Sequence, residues 1–150
     1  MVILAEEERY TFSSIMTLLI ESEDNLRRLY EAAAKDTNRD ELRLLLSNYG
    51  KSSSRRIEMM RRARNETVME ITLEPITDLK LIEPLARIKD TIQDKQLSNL
   101  EKAITIETIV AETYAKVSPK VMQMSTETSE LLMALSRESN ERREGLKEQV

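Results

Sequence analysis

The amino-acid sequence predicts an all-α protein that forms a single domain over residues 1–150. The chain holds only 2 glycines and 3 prolines, whereas average usage is about 7% and 5%, so a turn-rich β fold is disfavoured. Charged residues make up 33% of the chain and aromatic residues 3%, a composition typical of long amphipathic helices. Apolar residues also recur every three or four positions along most of the sequence, which is the spacing of one helix face.

Two long helices are predicted in the N-terminal half. Apolar residues with helical spacing define the first from about Ala5 to Lys35 and the second from about Asp40 to Asn65. Between them, Asp-Thr-Asn at residues 36–38 interrupts the pattern and offers capping side chains for the second helix. Gly50 lies inside the second helix, where it costs about 1 kcal/mol relative to alanine.

A connection of about 30 residues, over 66–96, follows the second helix. Pro75 and Pro84 exclude one continuous helix through this segment, and Val68 to Leu73 is compatible with extended chain. The connection is long enough to cross from one end of a helical bundle to the other. Two tight helix–helix turns joined by one long crossover predict a ferritin-like arrangement of two helical hairpins, not a simple up-and-down bundle.

The last two predicted helices form the C-terminal half. The third runs from about Leu97 to Val117. Ser118-Pro119 then marks the start of the fourth, because proline is favoured in the first turn of a helix, and the fourth continues to about Lys147.

Composition excludes several kinds of chemistry. The chain has no cysteine and no histidine, so disulfides, thiolate metal sites and histidine-based acid–base catalysis are unavailable. The net charge of −4 and the scarcity of aromatic residues argue against nucleic acid as a partner of the arginines in residues 55–64. Residues 15–20 form an apolar run that is too short to span a bilayer and has an acidic upstream flank, so we expect no membrane partner and a cytoplasmic location.

The two halves of the chain repeat a pattern of polar residues on apolar helix faces. Glu23 and Tyr30 are seven residues apart in the first helix, and Glu107 and Tyr114 have the same spacing in the third. A serine and an arginine three residues apart follow in the companion helix of each half. These pairs are Ser53 with Arg56, and Ser139 with Arg142. Because each lies among apolar residues at helical spacing, we expect all of them to face the bundle core.

These segments resemble a known family. Residues 103–107, continuing to Tyr114, look like the first helix of a rubrerythrin-type half, and residues 41–60 resemble its companion helix without a gap. In the ferritin-like and rubrerythrin-like proteins, each half supplies one glutamate and one Glu-x-x-His motif to a di-iron or di-manganese site. The resemblance implies that Glu23 and Glu107 match the lone carboxylates. Where the family has Glu-x-x-His, this chain has Ser-x-x-Arg twice.

Loss of the metal ligands suggests what replaced the metal. Buried carboxylates are costly unless a positive charge compensates them, and arginine stays protonated in proteins. We therefore expect no metal or other cofactor, and a core ionic cluster of Glu23, Arg56, Glu107 and Arg142, with Ser53 and Ser139 as neutral partners. If a cofactor is present, the resemblance implies iron or manganese. Glu21, Glu112 and Glu138 are further carboxylates, although their spacing puts the first two on other helix faces.

Three functions remain open from the sequence. The first is a non-catalytic structural or interaction protein, with a homodimer as its expected state by family analogy and because symmetric pairs are common. The second is a metal-dependent oxidoreductase or peroxidase of the rubrerythrin type with non-standard ligands. The third is a protein that binds a small anion through the two core arginines, which requires a cavity beside them.

Overall fold

The computed structural model describes residues 7–67 and 75–150, and within these ranges the secondary structure is helical. The five helices are α1 (Phe12–Asp36), α2 (Asp40–Thr67), α3 (Ile82–Gln93), α4 (Asn99–Val121) and α5 (Thr126–Lys147). The only β-type pairing in the described part is an isolated bridge between Tyr10 and Ile76. The predicted all-α class is confirmed for these residues.

The start of α1 corrects the predicted boundary at Ala5. Helix α1 begins at Phe12, because Thr11 and Ser14 form a reciprocal capping box in which each side chain accepts the other residue's backbone N–H. Residues 7–11 are not helical, so the earlier start is wrong there. Tyr10 instead exchanges two backbone hydrogen bonds with residue 76. The first residues of the predicted helix, 5 and 6, lie outside the described residues.

The boundary predicted at Ser118-Pro119 is also wrong. Helix α4 continues through both residues to Val121, and α5 starts only after Ser125, whose side chain caps its first turn. Proline lacks a backbone N–H donor. Because Pro119 lies two residues before the end of α4, the missing hydrogen bond affects only the last turn. The Ser118 hydroxyl in turn donates to the Ser129 carbonyl, 2.7 Å away on α5.

The long connection contains a helix that the sequence pattern did not reveal. Helix α3 places Pro84 in its first turn, where a missing N–H costs nothing, and buries Ile88 against α4. The Glu8 carboxylate accepts the backbone N–H groups of Leu81 and Ile82, at 2.8 and 3.0 Å, which fits the preference of helix starts for negative charge. The extended conformation suggested for residues 68–73 lies outside the described residues.

The long helices pack as two hairpins. Helices α1 and α2, joined by three residues, pack along each other, as do α4 and α5. The hairpins meet mainly through α1 and α4, while α2 and α5 touch sparsely. At Gly50, where α2 faces α1, an added Cβ would make an ordinary van der Waals contact, 3.6 Å from the Tyr30 Cβ. The four long helices enclose an apolar core with polar residues at its midpoint, and a gap separates α2 from α5 along one side.

Candidate functional site

Each of the four long helices contributes one charged side chain to the middle of the core. Glu23 on α1 and Glu107 on α4 are 0% exposed, and Arg56 on α2 and Arg142 on α5 are 2% and 4% exposed. Helical spacing puts each residue on the apolar face of its own helix, so packing of that face carries the charge inwards. The structure therefore brings together the four charged residues singled out from the sequence.

Glu23 is the most fully bonded member of the cluster. Its carboxylate accepts hydrogen bonds from the Ser53 and Tyr114 hydroxyls, both at 2.6 Å. It also accepts from Nη1 of Arg56 at 3.3 Å and from Nη1 of Arg142 at 3.2 Å. Four donors thus stabilise its charged form, which offsets much of the cost of removing a carboxylate from water.

Glu107 is bonded less completely. Its Oε2 accepts from the Tyr30 hydroxyl and from Nη1 of Arg142, the latter at 3.3 Å. Its Oε1 is buried and has no hydrogen-bond partner among residues 7–67 and 75–150. An unpartnered buried acceptor is unfavourable, so Glu107 is the member of the cluster that burial penalises most clearly.

The two arginines have unequal roles. Arg142 contacts both carboxylates, and it also donates to Ser53 at 3.1 Å and to Ser52 at 2.7 Å. Arg56 donates to Glu23 and, through the same nitrogen, to the Ser139 hydroxyl at 2.9 Å. Its other terminal nitrogen contacts the half-exposed carboxylate of Glu138 at 3.2 Å. Arg142 therefore bridges the two halves of the cluster, whereas Arg56 links its centre to the surface.

The contacts between the halves are reciprocal. The tyrosine of each half donates to the glutamate of the other half, from Tyr30 to Glu107 and from Tyr114 to Glu23. The arginine of each half likewise donates to the serine of the other half. The sequence repeat thus predicted the membership of the cluster, while the crossing of partners became visible only when the hairpins were docked.

The environment separates the pKa values of the two glutamates. Burial raises the pKa of Glu23, but the charges of Arg56 and Arg142 outweigh burial, so its pKa lies below the usual range. For Glu107, burial and the repulsion of Glu23 outweigh the attraction of Arg142, and its pKa is raised. Burial also raises the pKa values of Tyr30 and Tyr114 well above that of free tyrosine. Glu23 is therefore the stronger acid of the pair.

The donor set does not fit a pair of iron or manganese ions. Within the described ranges only two carboxylates face the midpoint, and three of their four oxygens already accept hydrogen bonds from arginine, tyrosine or serine. No group of three or more potential metal-ligating side chains occurs in the described part of the chain. Glu21 and Glu112 are exposed on other faces, and Glu138 pairs with Arg56. A cationic guanidinium next to both carboxylates also repels a metal ion.

Several contributors to this site were not singled out from the sequence. The ring of Tyr49 lies 5.6 Å from the Arg142 guanidinium and meets the Tyr30 ring edge-on at 5.5 Å. Ser52 accepts from Arg142 beside the predicted Ser53. The Ser52 and Tyr49 positions give a weak sequence signal, because both lie at the border of the apolar face of α2.

The arginines of residues 55–64 have different surroundings; Arg55, Arg61 and Arg62 are exposed. Arg56 is buried in the cluster, while Arg61 pairs with Glu58 at 3.1 Å and Arg64 contacts the Thr17 hydroxyl at 3.1 Å. Contacts of this kind are what an ordinary amphipathic helix makes.

Comparisons of the chain with protein-family models, curated protein sequences and solved structures give no match. The ferritin-like resemblance therefore stays a prediction that rests on the residues of the chain itself. Over residues 7–67 and 75–150, every helix is too short or too polar to span a lipid bilayer.

Proposed function

We propose that this chain is a ferritin-like helical protein in which a buried ionic cluster takes the place of the two metal ions, and that it serves as a non-catalytic structural or interaction protein. The contact of Arg142 Nη1 with a carboxylate oxygen of both Glu23 and Glu107, at 3.2 and 3.3 Å, carries this proposal. In a di-metal bundle, the ions supply the positive charge at this midpoint. Here a side chain that cannot deprotonate supplies it.

The reciprocal contacts support a role for the cluster in joining the two halves. Both hydrogen bonds that Tyr30 and Tyr114 donate, and most of those that Arg56 and Arg142 donate, cross between the hairpins. Such a network holds the helices in one register, which is the best-attested role of buried polar groups. A rigid scaffold with a fixed register suits a protein that works through its surface.

Metal content is the direct test. Protein purified without chelators, after growth with iron, manganese and zinc, is expected to hold fewer than about 0.1 ions per chain. A positive control restores the Glu-x-x-His motifs through Ser53→Glu, Arg56→His, Ser139→Glu and Arg142→His, which should raise metal content towards about two ions per chain. About two ions in the wild-type protein would overturn the proposal and favour the metal-dependent oxidoreductase instead.

The proposed state in solution is a homodimer. Several large apolar side chains are exposed in the monomer, among them Leu44 at 64% and Ile82 at 66%, and such side chains are often covered in a symmetric pair. Light scattering during size-exclusion chromatography should give twice the 17.4 kDa mass of one chain. A mass of one chain at micromolar concentration would contradict the dimer and leave the metal-free scaffold unaffected.

A further inference from the structure

A cavity of about 350 Å³ lies in the gap between α2 and α5, directly beside the ionic cluster. Its lining is polar and comes from both helices, namely Tyr49, Ser52, Arg56, Glu138, Glu141 and Arg142. The two arginines therefore belong both to the core and to the wall of a cavity that opens to solvent. A cavity of this volume is within the range that holds small molecules.

The arginine side of this cavity has unused binding capacity. A guanidinium carries five N–H donors, and Arg56 Nε has no hydrogen-bond partner among residues 7–67 and 75–150 although the residue is only 2% exposed. Arg56 Nε is enclosed in the core, so its missing partner is a cost within the cluster. Arg142 Nη2 carries two N–H donors and, among the described residues, donates only to Ser52. Its second N–H therefore remains for an acceptor that enters from the cavity.

A carboxylate already occupies the arginine wall of the cavity. Arg56 and Arg142 pair in the core with Glu23 and Glu107. On the cavity side, the Glu138 carboxylate contacts Arg56 Nη2 at 3.2 Å, and the Glu138 side chain is 54% exposed. An exposed ion pair contributes little free energy, so a competing anion can displace the Glu138 carboxylate.

We propose that the α2–α5 cavity binds a small monocarboxylate, which contacts Arg56 and Arg142 in place of the Glu138 carboxylate. A planar carboxylate matches the fork of a guanidinium, and the ring of Tyr49 supplies a flat wall for a short apolar or aromatic body. Glu141 at the same cavity repels a second negative charge, which disfavours phosphate and dicarboxylates. The inference rests on the proposed metal-free cluster, because bound metal ions would take the carboxylates from the arginines.

Benzoate is a suitable probe, with benzamide as its uncharged counterpart and phthalate as the dianion. Backbone amide NMR spectra of the full chain should show saturable benzoate shifts at Tyr49, Ser52 and Glu141. Benzamide should give none at the same concentration, and phthalate should bind more weakly than benzoate. Metal content is measured on the same sample, which separates failure of this inference from failure of the proposed function.

The decisive variant is Glu138→Gln, which removes the competing carboxylate from a half-exposed position and is expected to fold. Loss of a weak surface pair predicts benzoate binding about 3- to 10-fold tighter than in the wild type. The matched control is Glu130→Gln on the exposed face of the same helix, which should leave benzoate affinity unchanged. Metal-free Glu138→Gln protein without saturable shifts up to about 10 mM benzoate, equal binding of benzamide, or equal tightening by the control would overturn the inference.

Discussion

Replacement of Arg142 by methionine tests the energetic role of the cluster most directly. The guanidinium is 4% exposed and contacts both carboxylates. In its absence Glu23 keeps Arg56, Ser53 and Tyr114 as donors, whereas Glu107 keeps only Tyr30. Breaking a buried ion pair from one side costs about 3–5 kcal/mol. Because Glu107 can take up a proton, we expect a loss near the lower bound, about 3 kcal/mol.

This loss is measurable by chemical and thermal unfolding monitored by circular dichroism. For a chain of this length, 1 kcal/mol corresponds to about 2–4 °C, so Tm should fall by roughly 6–12 °C. Arg28→Met is the matched control, because Arg28 makes a surface pair with Asp24 at 3.1 Å and its side chain is 71% exposed. Its loss should cost less than about 1 kcal/mol.

A double variant separates the lost attraction from the charge left behind. If the cost of Arg142→Met comes from an uncompensated acid, then Glu107→Met/Arg142→Met should be more stable than Arg142→Met alone. The coupling energy expected for contacting residues is about 0.5–3 kcal/mol. A single variant as stable as the surface control, or a double variant that simply adds two losses, would refute the electrostatic reasoning.

Three further predictions concern protonation and packing. Glu107→Gln removes an acid whose pKa in the native protein lies above its unfolded value of 4.5. The wild-type free energy of unfolding should therefore fall as pH rises from 4.5 through the native pKa. The variant should lack that fall when both proteins are unfolded with urea at a series of pH values. Tyr30 and Tyr114, which are fully buried, should stay protonated above pH 10 until the protein unfolds in alkali. Ultraviolet absorbance reports tyrosine ionisation without interference because the chain has no tryptophan. Ionisation of all four tyrosines before unfolding would contradict their burial. Gly50→Ala should stabilise α2 by about 0.5–1 kcal/mol, since the added Cβ makes an ordinary contact at 3.6 Å. Gly145→Ala should instead cost about 1–3 kcal/mol, because its Cβ would lie 2.5 Å from the Tyr49 hydroxyl. The Tm values of the two glycine variants should therefore shift in opposite directions.

The helical class and the membership of the cluster followed from local patterns. Helical spacing of apolar residues identified the four long helices, because that spacing directly reflects which face is buried. The Glu–Tyr spacing of seven, found twice, placed both carboxylates on buried faces. Each of these inferences needs only one helix at a time, so no tertiary information was required.

The features missed by sequence reasoning depend on other parts of the fold or on weak local signals. The start of α1 is set by a capping box in which Ser14 occupies the N3 position, where the usual pattern has Glu or Gln. Helix α3 is short, and its start is completed by Glu8 from a distant part of the chain. Pro119 is compatible with either end of a helix, and packing of Ser118 on α5 favours the end of α4. The inequality of Glu23 and Glu107 likewise arises only from docking.

The crossed bonding of tyrosines and glutamates has a consequence for how the protein unfolds. Separation of the two hairpins would break both tyrosine–glutamate hydrogen bonds at once and would expose to water the apolar core that the hairpins share. We therefore expect neither hairpin to remain ordered by itself. The two hairpins should form a single cooperative unit, with the slowest-exchanging amides of α1 and α4 opening together in one global event.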